Sequence, residues 1–195
     1  MRYKKIDSVD VGYFMKDHLN FKKITLSAGL ASCLLAPHSV LAADDSATAS
    51  ANVIAPIQIT KTADLVFGDF APGVGGTVTV STSGARTATG PILSASGASS
   101  SAAQFDVVGE ANATYSISYS GDTALTNTTG GGGETMLLTR HSDLTGAGAI
   151  AGEVTSGTLG ITGTQSIYLG GTLAVSGTQV PGSYQGTVTV TVEYN

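Results

Sequence analysis

One histidine of the chain lies among residue types that could act together in catalysis. Arg140-His141-Ser142-Asp143 places a base, a hydroxyl and a carboxylate next to one another. The members of a catalytic triad are brought together by the fold from separate segments, so neighbours within one loop do not make one. A solvated loop is the preferred interpretation of this stretch, and the sequence predicts no catalytic residue.

Metal and phosphate sites have little support in the sequence. Asp64, Asp69 and Asp122 could bind calcium from separate loops, but their acidic charge is the only argument for it. The Gly130–Gly133 run is not followed by the Gly-Lys-Ser or Gly-Lys-Thr of a phosphate-binding loop, and it predicts a flexible connection. We therefore expect no metal, no cofactor and no enzymatic activity.

The charges are divided unevenly along the 195-residue chain. Residues 1–43 hold six of the nine Lys and Arg, whereas the remainder holds three basic and eleven acidic residues, a formal charge of −8. A body with three scattered cations cannot neutralise a run of phosphates. The charge therefore argues against nucleic-acid binding.

The N-terminal region has the order of segments found in export signals. Phe21-Lys22-Lys23 precedes an apolar run and then the small residues Ala42 and Ala43. This order is typical of a signal peptide over residues 1–43, cleaved after Ala42 or Ala43, with Met15 as an alternative start. A transmembrane helix is the weaker interpretation, because the apolar run is short and contains a proline.

Cys33 is the only cysteine of the chain. Leu30-Ala31-Ser32-Cys33 resembles the lipobox of bacterial lipoproteins, but Leu34-Leu35 continue the apolar run to a second cleavage site, so we favour an ordinary leader residue. The mature chain then has no cysteine, and its core and sheet hydrogen bonds must stabilise it without disulfides. We expect an exported protein that passes through the periplasm to the cell surface, with a lipoprotein as the minor alternative.

The composition predicts an all-β fold. The chain has 26 Gly, no Trp and only 12% charged residues, and its apolar residues recur in short alternating runs. About nine or ten short strands and no helix are predicted, which favours an immunoglobulin-like antiparallel β-sandwich over residues 61–195. Residues 44–60 form an N-terminal extension and first strand.

The C-terminal run has the most regular alternation. Its odd positions are polar, and its even positions are apolar or glycine, which predicts a strand of about eleven residues with one buried face. The even positions, taken with the preceding glycine, are Gly182, Tyr184, Gly186, Val188, Val190, Val192 and Tyr194.

Other runs predict further strands. Residues 51–59 are apolar at every odd position, and a proline confines this strand to an edge or a break. Residues 65–70 predict a short apolar strand, and residues 104–109 and 113–119 predict a hairpin. Six aromatic side chains in predicted strands are expected in the core rather than on a sugar-stacking platform: Phe67, Phe70, Phe105, Tyr115, Tyr119 and Tyr168.

Both ends of the predicted mature chain resemble chaperone–usher pilus subunits. Such subunits end in an alternating strand with a penultimate tyrosine and a glycine fourteen residues from the end, the positions of Tyr194 and Gly182. The first strand resembles a donor strand, with one face formed by Ala51, Val53, Ile57 and Ile59. The chain departs from many pilins in lacking their disulfide.

A second block extends the resemblance. Leu65-Val66-Phe67-Gly68 resembles the Phe-Gly block of spore-coat-U-like subunits. More closely, residues 50–195 resemble a family of secreted bacterial domains of unknown function, in which an early Leu-x-Phe-Gly block precedes a Tyr-x-Gly-Thr-type final strand.

The pilin resemblance implies a structural subunit of a bacterial surface fibre that serves adhesion or biofilm. Its partners would be identical or related subunits joined by strand addition, and a periplasmic chaperone and usher. The alternative is a self-complete secreted or outer-membrane-associated sandwich that binds a ligand such as a glycan. The fibre predicts that residues 46–59 pack into another molecule, and the alternative predicts that residues 51–59 pair within their own chain.

Overall fold

The computed structural model describes residues 43–97, 99–130 and 133–195. Ser50–Asn195 form one compact unit, and residues 43–49, which fall in another, are exposed and have no regular secondary structure. The predicted signal peptide lies outside the described residues except for Ala43, and so do Met15 and Cys33. Within the described ranges, no helix is long and apolar enough to cross a membrane.

The described fold is an all-β sandwich, as predicted, and all its strand pairs are antiparallel. Six of the strands have only two to four residues, so more strands are present than the nine or ten predicted. The strands are β1 (Gln58–Ala63), β2 (Phe70–Ala71), β3 (Gly76–Val80), β4 (Arg86–Thr89), β5 (Ile92–Leu93), β6 (Ala103–Val108), β7 (Thr114–Gly121), β8 (Ala124–Asn127), β9 (Thr135–Asp143), β10 (Ser156–Thr158), β11 (Thr164–Val175), β12 (Tyr184–Gln185) and β13 (Val188–Tyr194).

Two sheets of unequal size build the sandwich. The large sheet has the order β1-β6-β11-β9-β8-β12, and β3 joins it beside β11 with β4 at its other edge. The small sheet has the order β10-β7-β13, and β2 and β5 form a separate pair. The long strand β11 organises the large sheet, because its first half pairs with β6, its second half pairs with β3, and its other edge pairs with β9.

The small sheet covers one half of the large sheet. The first core cluster joins β6 and the start of β11 to β7 and β13, and it consists of Ala103, Phe105, Val107, Tyr115, Ile117, Leu159, Ile167, Leu169, Val190 and Val192. The second cluster comes from β3, β9, the end of β11 and one loop, and it consists of Phe67, Val78, Val80, Met136, Leu138, Leu173 and Val175. No fully buried residue of the second cluster belongs to the small sheet.

The predicted hairpin of residues 104–109 and 113–119 is wrong. β6 pairs with β1 and β11 in the large sheet, whereas β7 pairs with β10 and β13 in the small sheet. The short connection crosses between the sheets, and Asn112 adopts a φ of 60° within it. Alternation fixes which face of a strand is buried but not which neighbour it pairs with, so Tyr115 and Ile117 point inward as expected.

The predicted C-terminal strand is divided between the two sheets. β12 pairs with β8 in the large sheet, and β13 pairs with β7 in the small one. Between them, the N–H of Thr187 donates to Asp122 Oδ2 (2.7 Å), and its carbonyl accepts from the N–H of Asp122 (2.7 Å). A Cβ on Gly186 would lie 2.9 Å from Leu125 Cδ2 and 3.2 Å from the carbonyl oxygen of Ala124, so the chain passes closely over β8 there.

The predicted strands near the N-terminus are shorter than expected. Residues 51–57 have no regular secondary structure, and β1 begins only after Pro56, whose missing N–H cannot support a ladder. β1 therefore crosses the predicted boundary between residues 60 and 61. In the predicted strand over residues 65–70, Val66 forms one isolated bridge with Ser101 and only Phe70 lies in a strand, because Gly68 has a φ of 67° that interrupts the extended backbone.

Two adjacent leucines in β9 test which face of this strand is buried. Leu138 belongs to the second cluster, whereas the side chain of Leu137 is 57% exposed on the opposite face. We expect Leu138→Ala to lower the free energy of unfolding by about 2–5 kcal/mol, and Leu137→Ala to change it by less than about 0.5 kcal/mol. Denaturant unfolding of both variants measures the difference, and equal losses would contradict the register.

Candidate functional site

A large apolar groove opens beside the start of β13. Its volume is about 1110 Å³, and two loops, residues 64–72 and 179–187, form its walls. Its floor is made of core side chains, namely Phe105, Met136, Leu138, Leu169 and Leu173. We call this feature the lateral groove.

The groove follows from the unequal size of the two sheets. The second core cluster faces no complete sheet, so loop residues must cover it. Phe67 is buried in this cluster, and Leu65 and Tyr184 are partly buried against it. These side chains leave a space between the two wall segments, and the core side chains at its floor are themselves buried.

β13 has one unpaired edge next to this groove. In the described part of the chain β13 pairs only with β7, in a register that extends from Thr187 opposite Asp122 to Asn195 opposite Thr114. At those two positions a backbone N–H donates across the pair, from Asp122 to Thr187 and from Asn195 to Thr114. In an antiparallel pair hydrogen-bonded positions alternate, so the even-numbered residues of β13 direct their N–H and C=O groups away from β7.

The free edge carries few of the features that protect edge strands. Proline, lysine or a bulge commonly prevents an exposed edge from pairing with another chain. β13 contains no proline and no lysine, its pairing with β7 has no register shift, and Glu193 is its only charged residue. The side chains of Val190 and Val192 point into the core. β13 therefore offers backbone hydrogen-bonding groups directly beside apolar surface.

The residues predicted at the C-terminal strand lie in different environments. Gly182 lies against Asn127, and a Cβ there would be 2.5 Å from Asn127 Oδ1. The hydroxyl of Tyr184 donates to the carbonyl of Val180 (2.7 Å) and accepts from the side-chain amide of Gln179 (2.7 Å), which braces one groove wall. The remaining predicted positions follow from Gly186 into β13.

The predicted donor residues divide into two pairs. Ile57 and Ile59 pack against the first core cluster of their own chain, and Ile59 pairs with Val107 in β6. Ala51 and Val53 are exposed, and Val53 is 93% exposed. The structure thus assigns Ile57 and Ile59 to the chain's own sandwich, contrary to the predicted donor face, and only the residues before them remain outside it.

The Arg140–Asp143 stretch lies at the end of β9 rather than in the predicted solvated loop. His141 is 1% exposed, and its Nε2 donates to the carbonyl of Val80 (2.9 Å). The hydroxyl of Ser142 bonds the hydroxyl of Tyr119 (2.7 Å) and accepts from the N–H of Val154 (2.9 Å). His141 and Ser142 are thus engaged in separate structural bonds, and they do not form a nucleophile–base pair with each other.

Asp143 organises the loop after β9. The hydroxyl of Thr82 donates to its Oδ2 (2.5 Å), and the N–H groups of Thr145 and Gly146 donate to its Oδ1 (3.0 and 2.6 Å). Burial alone would raise the pKa of Asp143, but these hydrogen bonds outweigh it and lower the pKa below its usual value. The carboxylate is therefore a structural acceptor.

Burial lowers the pKa of a histidine next to this loop and raises the pKa of two tyrosines. It lowers the pKa of His141, despite the opposing influence of its bond to Val80, and the ring Nδ1 has no hydrogen-bond partner. Burial raises the pKa of Tyr115 and that of Tyr119. His141 is consequently neutral at neutral pH, because protonation would bury a charge and an unpaired N–H.

The acidic residues considered as calcium ligands are not brought together. Asp64 forms an exposed ion pair with Lys61, and Asp122 accepts from the backbone of Thr187. Among residues 43–97, 99–130 and 133–195, no three His, Cys, Asp or Glu side chains lie close enough to hold a metal ion.

The aromatic residues are mainly structural. Phe67, Phe105 and Tyr115 are buried, as expected, and Phe70 and Tyr119 are half-buried against the core clusters. Tyr168 is half-buried with its ring beside Gly146. These positions do not form an exposed row of rings.

Comparison with known proteins identifies a family whose model covers most of the chain. Residues 57–194 match the family described as "Domain of unknown function (DUF4402)". The match covers more than half of the chain, and the chain belongs to this family. No curated protein matches the chain.

The buried histidine predicts a pH dependence of stability. Because the folded state lowers the pKa of His141, the unfolded state binds more protons below about pH 6.5. Stability should therefore fall as the pH drops below that value, by at most about 1.4 kcal/mol per pH unit for one proton. Denaturant unfolding between pH 7.5 and pH 5 measures this slope. His141→Gln retains a donor toward Val80 but cannot titrate, so equal slopes for both proteins would contradict the prediction.

Proposed function

We propose that the chain is a non-enzymatic structural subunit of a bacterial surface fibre, assembled by strand addition and serving adhesion or biofilm. An N-terminal segment of one copy enters the lateral groove of another and pairs with the free edge of β13. The proposal rests chiefly on one observation, the unpaired edge of β13 beside an open apolar groove. Strand addition to such an edge uses main-chain hydrogen bonds for affinity and alternate side chains for specificity.

The free edge of β13 requires hydrogen-bond partners, and the lateral groove requires side chains that fill it. An added strand would satisfy the outward N–H and C=O groups of Val188, Val190 and Val192. Its inward side chains would pack on the partly buried apolar side chains of the groove, Leu65, Phe70 and Tyr184. One segment with alternating apolar residues can meet both demands.

The chain itself contains such a segment. Residues 46–56 carry no charged residue, and each odd position among them is alanine or valine. Residues 50–56 are exposed and have no regular secondary structure. Because Ile57 packs against its own core and the chain pairs with its own β6 from Gln58 onward, the donor is limited to the residues before Ile57.

The remaining parts of the proposal concern the assembly partners, the export route and the absence of enzymatic activity. Before assembly, a periplasmic chaperone would pair with the free edge of β13, and an usher would exchange it for the next subunit. Export through the periplasm to the cell surface follows from the predicted signal peptide over residues 1–43. A fibre subunit of this kind needs no catalytic site, metal or cofactor.

Two adjacent substitutions in the donor test the proposal. Val53 lies on the apolar face of the segment, and Asn52 lies on its polar face. Val53→Asp should reduce the multimer fraction at least about tenfold, because burying a carboxylate in an apolar groove costs more than the roughly 1.4 kcal/mol of a tenfold change. Light scattering after size-exclusion chromatography of the exported protein measures this fraction.

Asn52→Asp is the matched control, and it should form multimers as the parent does. A synthetic peptide of residues 46–57 should compete with multimer formation by the parent. The proposal is wrong if the parent is monomeric at all concentrations, or if both substitutions act equally.

A further inference from the structure

One end of the domain holds the start of the N-terminal segment. The hydroxyl of Tyr194 donates to the carbonyl of Ala55 (2.9 Å), and the N–H of Ala55 donates to the Glu110 carboxylate (3.1 Å). A Cβ on Gly109 would collide with the tyrosine hydroxyl, and Ile57 packs against the first core cluster. Ala55 is therefore fixed at the C-terminal end of β13, and we call the part of the domain around Ala55, Glu110 and Tyr194 the tyrosine end.

Apolar side chains are exposed at the tyrosine end. The turn of residues 160–163 lies there, because the N–H of Gly109 donates to its last carbonyl (2.9 Å). Ile161 in this turn is 86% exposed, and Val108 at the end of β6 and Ile54 next to Ala55 are exposed as well. These side chains surround the point at which the N-terminal segment leaves the domain.

The opposite end of the domain also exposes apolar side chains, and it lies beside the lateral groove. Val74 is 89% exposed in a turn that begins at the groove residue Pro72. Ile92 is exposed in β5, which pairs with the strand that leads into this turn. We call the part of the domain around Pro72, Val74 and Ile92 the groove end.

The strand β11 separates the two ends. Its first residue pairs with Val108 at the tyrosine end, and its last residue pairs with Gly76, which follows the turn of Val74. Its twelve residues span about 35 Å. Within one copy the two sets of exposed apolar side chains therefore cannot contact each other.

The proposed donor strand leaves almost no slack between two copies. In the proposed assembly Val53 enters the groove of the next copy, and only Ile54 separates it from Ala55. Two residue steps reach at most about 7 Å, so the tyrosine end of one copy must lie against the groove of the next. A donor antiparallel to β13, the orientation of every strand pair described above, leaves that groove beside Val188, at the groove end.

We propose that the exposed apolar side chains of the tyrosine end pack against those of the groove end of the next copy. Ile161 and Val108 form one side of this contact, and Val74 and Ile92 form the other. The inference rests on the proposed function and adds a second surface to it, beside the donor strand. The contact joins two different surfaces, so it extends into a filament and does not close into a symmetric dimer.

A single charge placed in the contact tests the inference. Ile161→Asp and Val74→Asp should each lower the multimer fraction at least about threefold, because each places a carboxylate between apolar side chains. Light scattering after size-exclusion chromatography of the exported protein measures this fraction. All these side chains are exposed in the monomer, so its thermal unfolding should be unchanged.

Ile150→Asp is the matched control. Ile150 is also exposed, but it follows Ala149, whose carbonyl accepts from the N–H of Thr82 (3.1 Å) beyond the end of β3, away from both ends of the domain. This variant should form multimers as the parent does.

Single cysteines test the direction of the contact. The described residues contain no cysteine, so an introduced thiol is the only one there. A mixture of the Ile161→Cys and Val74→Cys proteins should give cross-linked dimers with a short bifunctional thiol reagent, whereas neither protein should do so alone. A mixture of Ile161→Cys with Ile150→Cys is the control and should not cross-link.

The outcomes separate the two proposals. If the parent forms no multimer, the fibre proposal fails and the contact between the ends fails with it. If Val53→Asp abolishes the multimer but Ile161→Asp and Val74→Asp assemble as Ile150→Asp does, the inference about the ends alone is overturned. It is also overturned if Ile161→Cys cross-links with itself, or if the mixture with Val74→Cys cross-links no more than its control.

Discussion

The unpaired edge of β13 is the constraint on which the rest of the structure depends. Backbone N–H and C=O groups need partners, and β13 has such groups along the side away from β7, which begins at the groove residue Val188. β7 satisfies its other side through seven paired residues. The small sheet therefore ends at β13 because, within the described residues, no strand other than β7 pairs with it.

The unequal size of the two sheets explains the two core clusters. A three-stranded sheet can cover β6 and the first half of β11, but it does not extend over β3, β9 and the second half of β11. Loop residues such as Phe67 partly compensate by inserting side chains into the second cluster. A loop cannot supply the regular alternation of a strand, so the groove beside it remains open.

Alternation in the sequence could predict which residues are buried, but not which strands are neighbours. The inward positions of β13 and β7 follow directly from period-2 patterns, and Val190, Val192 and Ile117 are buried as expected. Pairing depends on contacts between distant segments, and therefore the expected hairpin became two strands in opposite sheets. The break between β12 and β13 could not be predicted either, because the even positions remain apolar or glycine on both sides of Gly186.

The candidate site combines features that sequence could and could not reveal. The apolar pattern before β1 and the penultimate tyrosine are visible in the sequence, whereas the groove arises only from sheet sizes and loop positions.

The hydrogen bond that joins Tyr194 to Ala55 connects residues 139 positions apart, and no local pattern predicts such a contact. Gly109 gave the only local indication, since a glycine beside a strand end can mark a close approach. This long-range contact holds Ala55 at the C-terminal end of β13, and thereby fixes where the residues before Pro56 meet the domain.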